Sequence, residues 1–405
     1  MRNILIVGSL LLGATALRAE DWPQWLGPRR DGSSTDVVKP WKEPLKIAWT
    51  QPLGEGHGAP IVAKGKVYIH ARVAGMNEEA LLAFDADSGK PLWNASYPRP
   101  ETKIPFGNGP RGCPAISNGK LYSYGITGIL TCCDAETGKI VWQVDAGKEY
   151  NPPALTFGCS CSPLVEGDVV LVNIGAKGAS IVAFDKNAGK EVWKALNDGA
   201  TYSSPIAIGA GETRQIIFLT AKGLVSLAPA TGKVNWQQPF VDLLSESSTT
   251  PVVIGDTLFG SSITAGGIAL NLDGQNAPAK LWAKPALNCY FSTPVSIGKD
   301  HLYLVTGSLL TKRAALRCVD VKSGDILWTR DKVGAYHASL VRTGDDKLLL
   351  IEEAGNMALL DPNPKEYREL ARTKVCGETW AHPAIANGRL YIRDKKDLVC
   401  VELGK

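Results

Sequence analysis

The sequence predicts an all-β fold, an eight-bladed β-propeller of four-stranded antiparallel sheets, and three observations lead there. First, the phrase LLAFDADSGKPLW (Leu81–Trp93) returns as LTCCDAETGKIVW (Leu130–Trp142), IVAFDKNAGKEVW (Ile181–Trp193), LVSLAPATGKVNW (Leu224–Trp236) and LRCVDVKSGDILW (Leu316–Trp328). A worn copy, IALNLDGQNAPAKLW, spans Ile268–Trp282. Second, a small-Pro-apolar phrase followed by a Gly turn and an apolar strand occurs eight times. Third, the chain ends one strand short of a complete last unit, and an unclaimed strand, Lys46–Trp49, stands near its start. A period of this length marks stacked supersecondary units.

The Asp-turn-Trp phrase reads as a hairpin. An alternating apolar strand leads into Asp85, whose carboxylate can accept backbone N–H bonds of a turn; Gly89 supplies the positive φ that closes it; Lys90 opens the next strand. That strand ends on Trp93, large and flat enough to fill the gap between neighbouring sheets. The equivalent docking tryptophans are Trp49, Trp93, Trp142, Trp193, Trp236, Trp282 and Trp328, at intervals of 44, 49, 51, 43, 46 and 46 residues.

Taken in order, Met1–Ala19 has a basic start at Arg2, an apolar run and small residues before Ala19, the pattern of a signal peptide cut after Ala19. The expected destination is the periplasm or the medium, and no later run reaches the roughly 20 apolar residues that span a bilayer. Residues 20–45, opening DWPQWLGPRRDG, lack strand alternation and are expected to lie as an irregular strap across the outside. Residues 46–405 then form one eight-bladed domain.

The eight copies of the second phrase start at Gly58, Gly112, Cys161, Ser203, Thr249, Ser292, His337 and Ala381. Each gives two strands and the Asp-turn-Trp phrase two more, so one unit is a four-stranded blade. The final unit supplies three strands, ending in Asp397–Leu403. Lys46–Trp49 is the missing fourth, and closing the ring this way removes the open sheet edges.

Net charge is +4, without a Lys/Arg block, so nucleic acid is not an expected partner. The 42 Gly and 25 Pro suit many short strands and turns. Five His are scattered without metal-ligand spacing, so no metal site is expected. Of nine Cys, Cys132 and Cys133 sit at apolar strand positions and read as small hydrophobes, whereas Cys159 and Cys161 are left open to pairing with Cys113 or each other.

The A-x-D-x-x-[ST]-G-K-x-x-W phrase of Ala83–Trp93, Cys132–Trp142 and Ala183–Trp193 resembles the docking motif of quinoprotein alcohol dehydrogenases, which bind pyrroloquinoline quinone (PQQ). It is equally similar to the PQQ-like repeats of the propeller lipoprotein of the bacterial β-barrel assembly machinery. DWPQWLGPRRDG and the run Gly109–Trp142 resemble a secreted subfamily of PQQ-like repeat proteins. The resemblance implies the fold strongly and the chemistry weakly, because the motif docks blades in enzymes and non-enzymes alike.

In a propeller the loops entering each first strand surround one mouth of the channel. Position by position this ring reads His57, Arg111, Ser160, Tyr202, Ser248, Phe291, Tyr336 and Trp380. The funnel residues His57, Arg111, Tyr202, Phe291, Tyr336 and Trp380 suit a flat ligand or a partner's side chain; alternatively they merely fill the blade tops. A PQQ enzyme needs a carboxylate base and oxygen ligands for a hard cation. The ring itself has no carboxylate, with Glu55, Glu246 and Glu378 only nearby, and no catalytic residue is assigned. The expected function is therefore an exported monomeric scaffold for a protein or envelope partner, the alternative a PQQ- and Ca²⁺-dependent alcohol or sugar dehydrogenase.

Overall fold

The computed structural model describes residues 20–274 and 276–404; the expected signal segment lies outside them. Eight four-stranded sheets are present, each pairing its strands antiparallel in chain order. Blades 1 to 7 span 61–98, 115–145, 164–195, 206–239, 252–284, 295–334 and 338–374. Blade 8 combines 384–402 with the strand Ile47–Pro52. In the register of that seam Trp49 faces Cys400, Gln51 faces Leu398 and Pro52 faces Asp397. The closing strand thus runs three residues beyond the segment the sequence marks out. The short first strands face the axis, where Ile61–Ala63 approaches Ala384–Ala386 and Ala115–Ser117 approaches Leu164–Glu166.

The repeated Trp and Gly belong to one contact. Trp49 Nε1 donates to Ala86 O at 3.1 Å, Trp93 Nε1 to Ala135 O at 3.2 Å and Trp142 Nε1 to Lys186 O at 3.2 Å, each reaching the turn of the next blade. Gly89 adopts φ +71°, and a β-carbon built there would stand 2.6 Å from the Trp49 ring. The same approach joins Gly138 to Trp93, Gly189 to Trp142, Gly232 to Trp193 and Gly324 to Trp282. The turn therefore needs glycine twice, for its backbone angle and for the indole that lies on it. Trp236, which faces the worn copy, has no Nε1 partner among the described residues.

Blade 7 has Ala371 opposite Leu359, the register position where Trp93 stands opposite Ala83 in blade 1. The reason is topological. The turn such a tryptophan would cover belongs to blade 8, where the third and fourth strands come from opposite ends of the chain and no turn exists.

The small-Pro phrase builds a circumferential ladder at the inner strands. Cys113 N donates to Ser162 Oγ at 2.9 Å, Ser162 N to Ser204 Oγ at 2.9 Å and Thr250 N to Thr293 Oγ1 at 3.3 Å. Each is the residue just before the repeat's proline bonding to its counterpart one blade on.

The N-terminal segment is irregular, but it does not cross the outside. It plugs the axial channel. Trp22 exchanges backbone hydrogen bonds with Val62 in blade 1, and Pro23 O accepts from Ile116 N in blade 2. Arg30 donates to Ser162 O and Pro163 O at blade 3 and to Pro205 O at blade 4. Trp25 Nε1 donates to Thr250 Oγ1 at blade 5 (2.8 Å), and Gly32 lies against Val295 of blade 6. Gly32 and Ser34 bond to the Arg342 backbone in blade 7, while Trp22 stacks on His382 at blade 8. Eight inner strands leave a channel along the axis. Trp22 and Leu26, each 1% exposed, fill it, and Arg30 spends its guanidinium on the carbonyls the strands turn inward. Burial lowers the Arg30 pKa to about 10, which leaves it charged at neutral pH.

All nine cysteines are free thiols, and all but Cys159 are buried. None of the pairings left open for Cys113, Cys159 and Cys161 is made.

Candidate functional site

The strand connections at one end of the ring place all eight predicted ring positions around one cavity of about 330 Å³. Its floor is Trp25, from the plug, so the mouth is a blind cup rather than the opening of a channel. Phe106, Phe157, Ser162, Ser204, Glu246, Tyr290 and Leu309 complete the wall. Ser162 and Ser204 stand directly before the prolines of their repeats, and the others come from non-repeated loops that an alignment of the repeats misses. The signal was local: Tyr290 adjoins Phe291, Glu246 lies two residues before Ser248, and Phe157 three before Ser160.

The cup has two unlike halves. Blades 6, 7, 8 and 1 give Phe291, Tyr336, Trp380 and His57, joined by Phe106 and Tyr290. Trp380 holds this half together: its ring centroid lies 5.3 Å from His57, 5.2 Å from Phe106, 5.5 Å from Phe291 and 6.3 Å from Tyr336. Beneath them Glu353 Oε1 accepts the Trp380 Nε1–H at 2.6 Å, and its Oε2 accepts the backbone N–H groups of Ala335 and Tyr336. That carboxylate fixes the indole in place. His57 Nε2 donates to Phe106 O at 2.8 Å, and burial pulls its pKa down to about 4, so it is neutral at physiological pH. His337 stacks behind Phe291 at 5.1 Å.

Blades 2 to 5 give the polar half: Arg111, Ser160, Ser248, Ser162, Ser204 and Glu246, with Tyr202 among them. Arg111 donates from Nε to Phe157 O at 2.7 Å and from Nη2 to Pro105 O at 2.7 Å. Glu246 Oε2 accepts the Tyr290 hydroxyl at 2.5 Å, and Asp242 holds its loop by accepting Glu246 N at 2.9 Å. Burial raises the Tyr202 pKa, the Phe157 N–H bond opposes it, and both Glu246 and Arg111 act on it through space.

The loop 99–110, which carries Phe106, is held by buried charge. Glu79, with no exposed surface, accepts the Tyr97 hydroxyl at 2.9 Å and Ile126 N of blade 2 at 3.0 Å. Arg99 Nε lies 3.8 Å from it, and Arg99 Nη2 donates to Asn108 O at 3.0 Å. Glu55 binds Arg72 and Asn108 N from the other side, and Glu378 pairs with Lys395. Neither Glu55 nor Glu378 lines the cup.

A second feature absent from the sequence reading is the short helix Ala146–Tyr150, capped by Asp145 and ended by Asn151 at φ 46°. It carries the chain from blade 2 towards Phe157.

The cup does not suit a calcium–quinone pair. Its wall carries one carboxylate, Glu246, where a hard cation needs several oxygen ligands. Among the described residues no three His, Cys, Asp or Glu side chains are grouped to hold a metal ion.

Residues 34–105 and 77–330 match the family model described as outer membrane protein assembly factor BamB. The chain belongs to this family of PQQ-like-repeat propellers. The BamB of Shewanella oneidensis is 20% identical over 378 residues, covering 88% of this chain and 88% of its own length. The dehydrogenase subunit of a quinone alcohol dehydrogenase from Komagataeibacter europaeus is 33% identical over 171 residues, which is 37% of this chain and 21% of that subunit. Among solved structures, BamB from Moraxella catarrhalis superposes with TM-score 0.62 at 18% identity, covering 89% of this chain and 97% of that one. Quinohemoprotein alcohol dehydrogenase from Comamonas testosteroni gives 0.66 at 15%, covering 97% and 82%. At such identities the superpositions speak for the fold alone.

Proposed function

We propose that this BamB-family chain is an exported binding scaffold that engages a protein of the cell envelope through the cup-bearing face. The observation that carries the reading is the cup itself: aromatic rings locked by Trp380 on a rigid ring, with exposed Phe106 in the wall and, among the described residues, no grouped oxygen ligands. Aromatic anchors in desolvated pockets carry most of the energy of protein interfaces. The length relation supports a scaffold too, since the chain matches an assembly factor nearly end to end but only about a fifth of a quinone dehydrogenase subunit. Among the described residues no helix is long and apolar enough to cross a membrane.

The test places a photo-crosslinking residue at Leu310, exposed and next to the lining residue Leu309, in the chain expressed in its own envelope. One discrete adduct is expected, and Trp380→Ala or Phe291→Ala should cut its yield at unchanged circular dichroism. An adduct that ignores both substitutions refutes the mouth as the binding face. Fluorescence titration with PQQ and Ca²⁺ checks the dehydrogenase alternative; saturable, stoichiometric quenching would revive it. Sequencing the mature N-terminus should find Glu20.

A further inference from the structure

We infer that the cup is a receptor for one tyrosine side chain of a partner protein, its ring against the aromatic half and its hydroxyl against the polar half. The inference rests on the mouth being the binding face and goes on to name what enters it.

Two polar atoms in the wall are unspent. Arg111 uses Nε and Nη2 on carbonyls of the neighbouring loops, while Nη1 has no partner among the described residues. Glu246 uses Oε2 on Tyr290, while Oε1 has none. A guanidinium N–H donates and a carboxylate oxygen accepts. A phenol can answer either, donating to Glu246 Oε1 or accepting from Arg111 Nη1. Phenylalanine answers neither and would cover both atoms without giving them a partner. An indole N–H only donates and satisfies Glu246 alone. Sites built to bond a substrate hydroxyl discriminate strongly against the analogue lacking it.

Size and surroundings point to a side chain rather than a large free ligand. The cavity, about 330 Å³, is at the small end of the roughly 300–1,000 Å³ range of ligand sites. Apolar side chains at its wall would be left wet by a small solute: Phe106, which lines it, is 59% exposed, and Leu310, next to the lining residue Leu309, is 97% exposed. Exposed apolar clusters with a polar surround mark macromolecular contacts. Phe106 and Leu310 would cover the residues flanking the tyrosine.

The full chain is titrated with N-acetyl-tyrosinamide, N-acetyl-phenylalaninamide and N-acetyl-leucinamide, followed by saturation-transfer NMR. The tyrosine amide should bind about tenfold tighter than the phenylalanine amide, a modest figure for a half-open site, and the leucine amide should not saturate. Glu246→Gln should narrow the gap between tyrosine and phenylalanine without weakening phenylalanine. Trp380→Ala should weaken both. Equal affinity for tyrosine and phenylalanine overturns the inference. So does failure of the tyrosine amide to compete with the Leu310 adduct while that adduct still depends on Trp380, and in that case the scaffold reading survives. An adduct independent of Trp380 removes both.

Discussion

The docking contact between blades gives a prediction with an internal control. Gly89 and Gly65 lie in the same blade with nearly the same backbone, φ +71° and +74°. A β-carbon on Gly65 meets nothing within 4 Å, whereas one on Gly89 stands 2.6 to 2.9 Å from three Trp49 ring atoms. Gly65→Ala therefore pays only for a left-handed alanine, about 1–2 kcal/mol. Gly89→Ala adds overpacking against a ring held by its own hydrogen bond to Ala86 O, about 1–3 kcal/mol more. Trp49→Ala alone should cost about 3–5 kcal/mol, because the ring lies against the closing seam with Tyr391 at 5.9 Å. In the Trp49→Ala background the Gly89→Ala penalty should shrink to that of Gly65→Ala. Equilibrium denaturant unfolding, followed by circular dichroism and fluorescence together, measures all four variants and the coupling between them. If Gly89→Ala and Gly65→Ala cost the same, or if the Gly89 and Trp49 substitutions add, the glycine is there for its turn alone and the docking account is wrong.

Acid should loosen the ring. His337 and His382 are buried, and burial depresses their pKa values to about 3 and about 4. Their unfolded values lie near 6.5, so the unfolded chain binds protons that the fold refuses and stability falls as pH drops from about 6.5 towards 4. At pH 5 that amounts to about 2 kcal/mol for each histidine. Urea midpoints at pH 7.5 and 5 check this, His337→Asn should reduce the slope, and a flat profile would contradict it. Thiol titration offers another check: burial raises Cys133, Cys159 and Cys376 to about 12, so native protein should react at no more than one thiol (Cys159), and at nine after unfolding. Trp22→Ala, which empties the centre of the plug, should cost about 3–5 kcal/mol in the same unfolding assay.

The propeller was legible because repetition multiplies a weak signal. One hairpin phrase is ambiguous, but five good copies, a worn sixth and an unmatched strand at each end leave one closed arrangement. The ring of mouth residues was legible for the same reason, since His57 to Trp380 keep a fixed offset from the repeat's proline. What repetition does not cover stayed hidden. Trp25 and Arg30 stand in a segment without periodicity, and periodicity alone does not distinguish an axial plug from a surface strap. The clue was chemical: two tryptophans and a leucine within five residues are too apolar for a solvated strap. Glu246 is off the aligned position, yet an inter-blade loop can turn any of its residues inward. Glu79, on a strand, is invisible as a buried anchor because its partners Arg99 and Ile126 lie 20 and 47 residues away.

The two ends of the described chain meet in blade 8, away from the residues that line the cup. The closing strand Ile47–Pro52 and the cup floor Trp25 both precede blade 1, yet their partners are distributed to the last blade. Trp25 reaches its position only when the plug lies against all eight inner strands, and those strands surround it only when Ile47–Pro52 has paired with Asp397–Glu402. The cup is therefore completed by ring closure and not by any single blade. Closure joins residues about 350 apart in sequence, a loop whose entropy must be overcome before the contacts that reward it exist. A ring with its seam open would have lost its floor as well as its fourth strand, so ligand binding at the cup and integrity of the seam should be lost together. Weakening the seam through Trp49 should then lower occupancy of the cup even though Trp49 is not among the residues lining it.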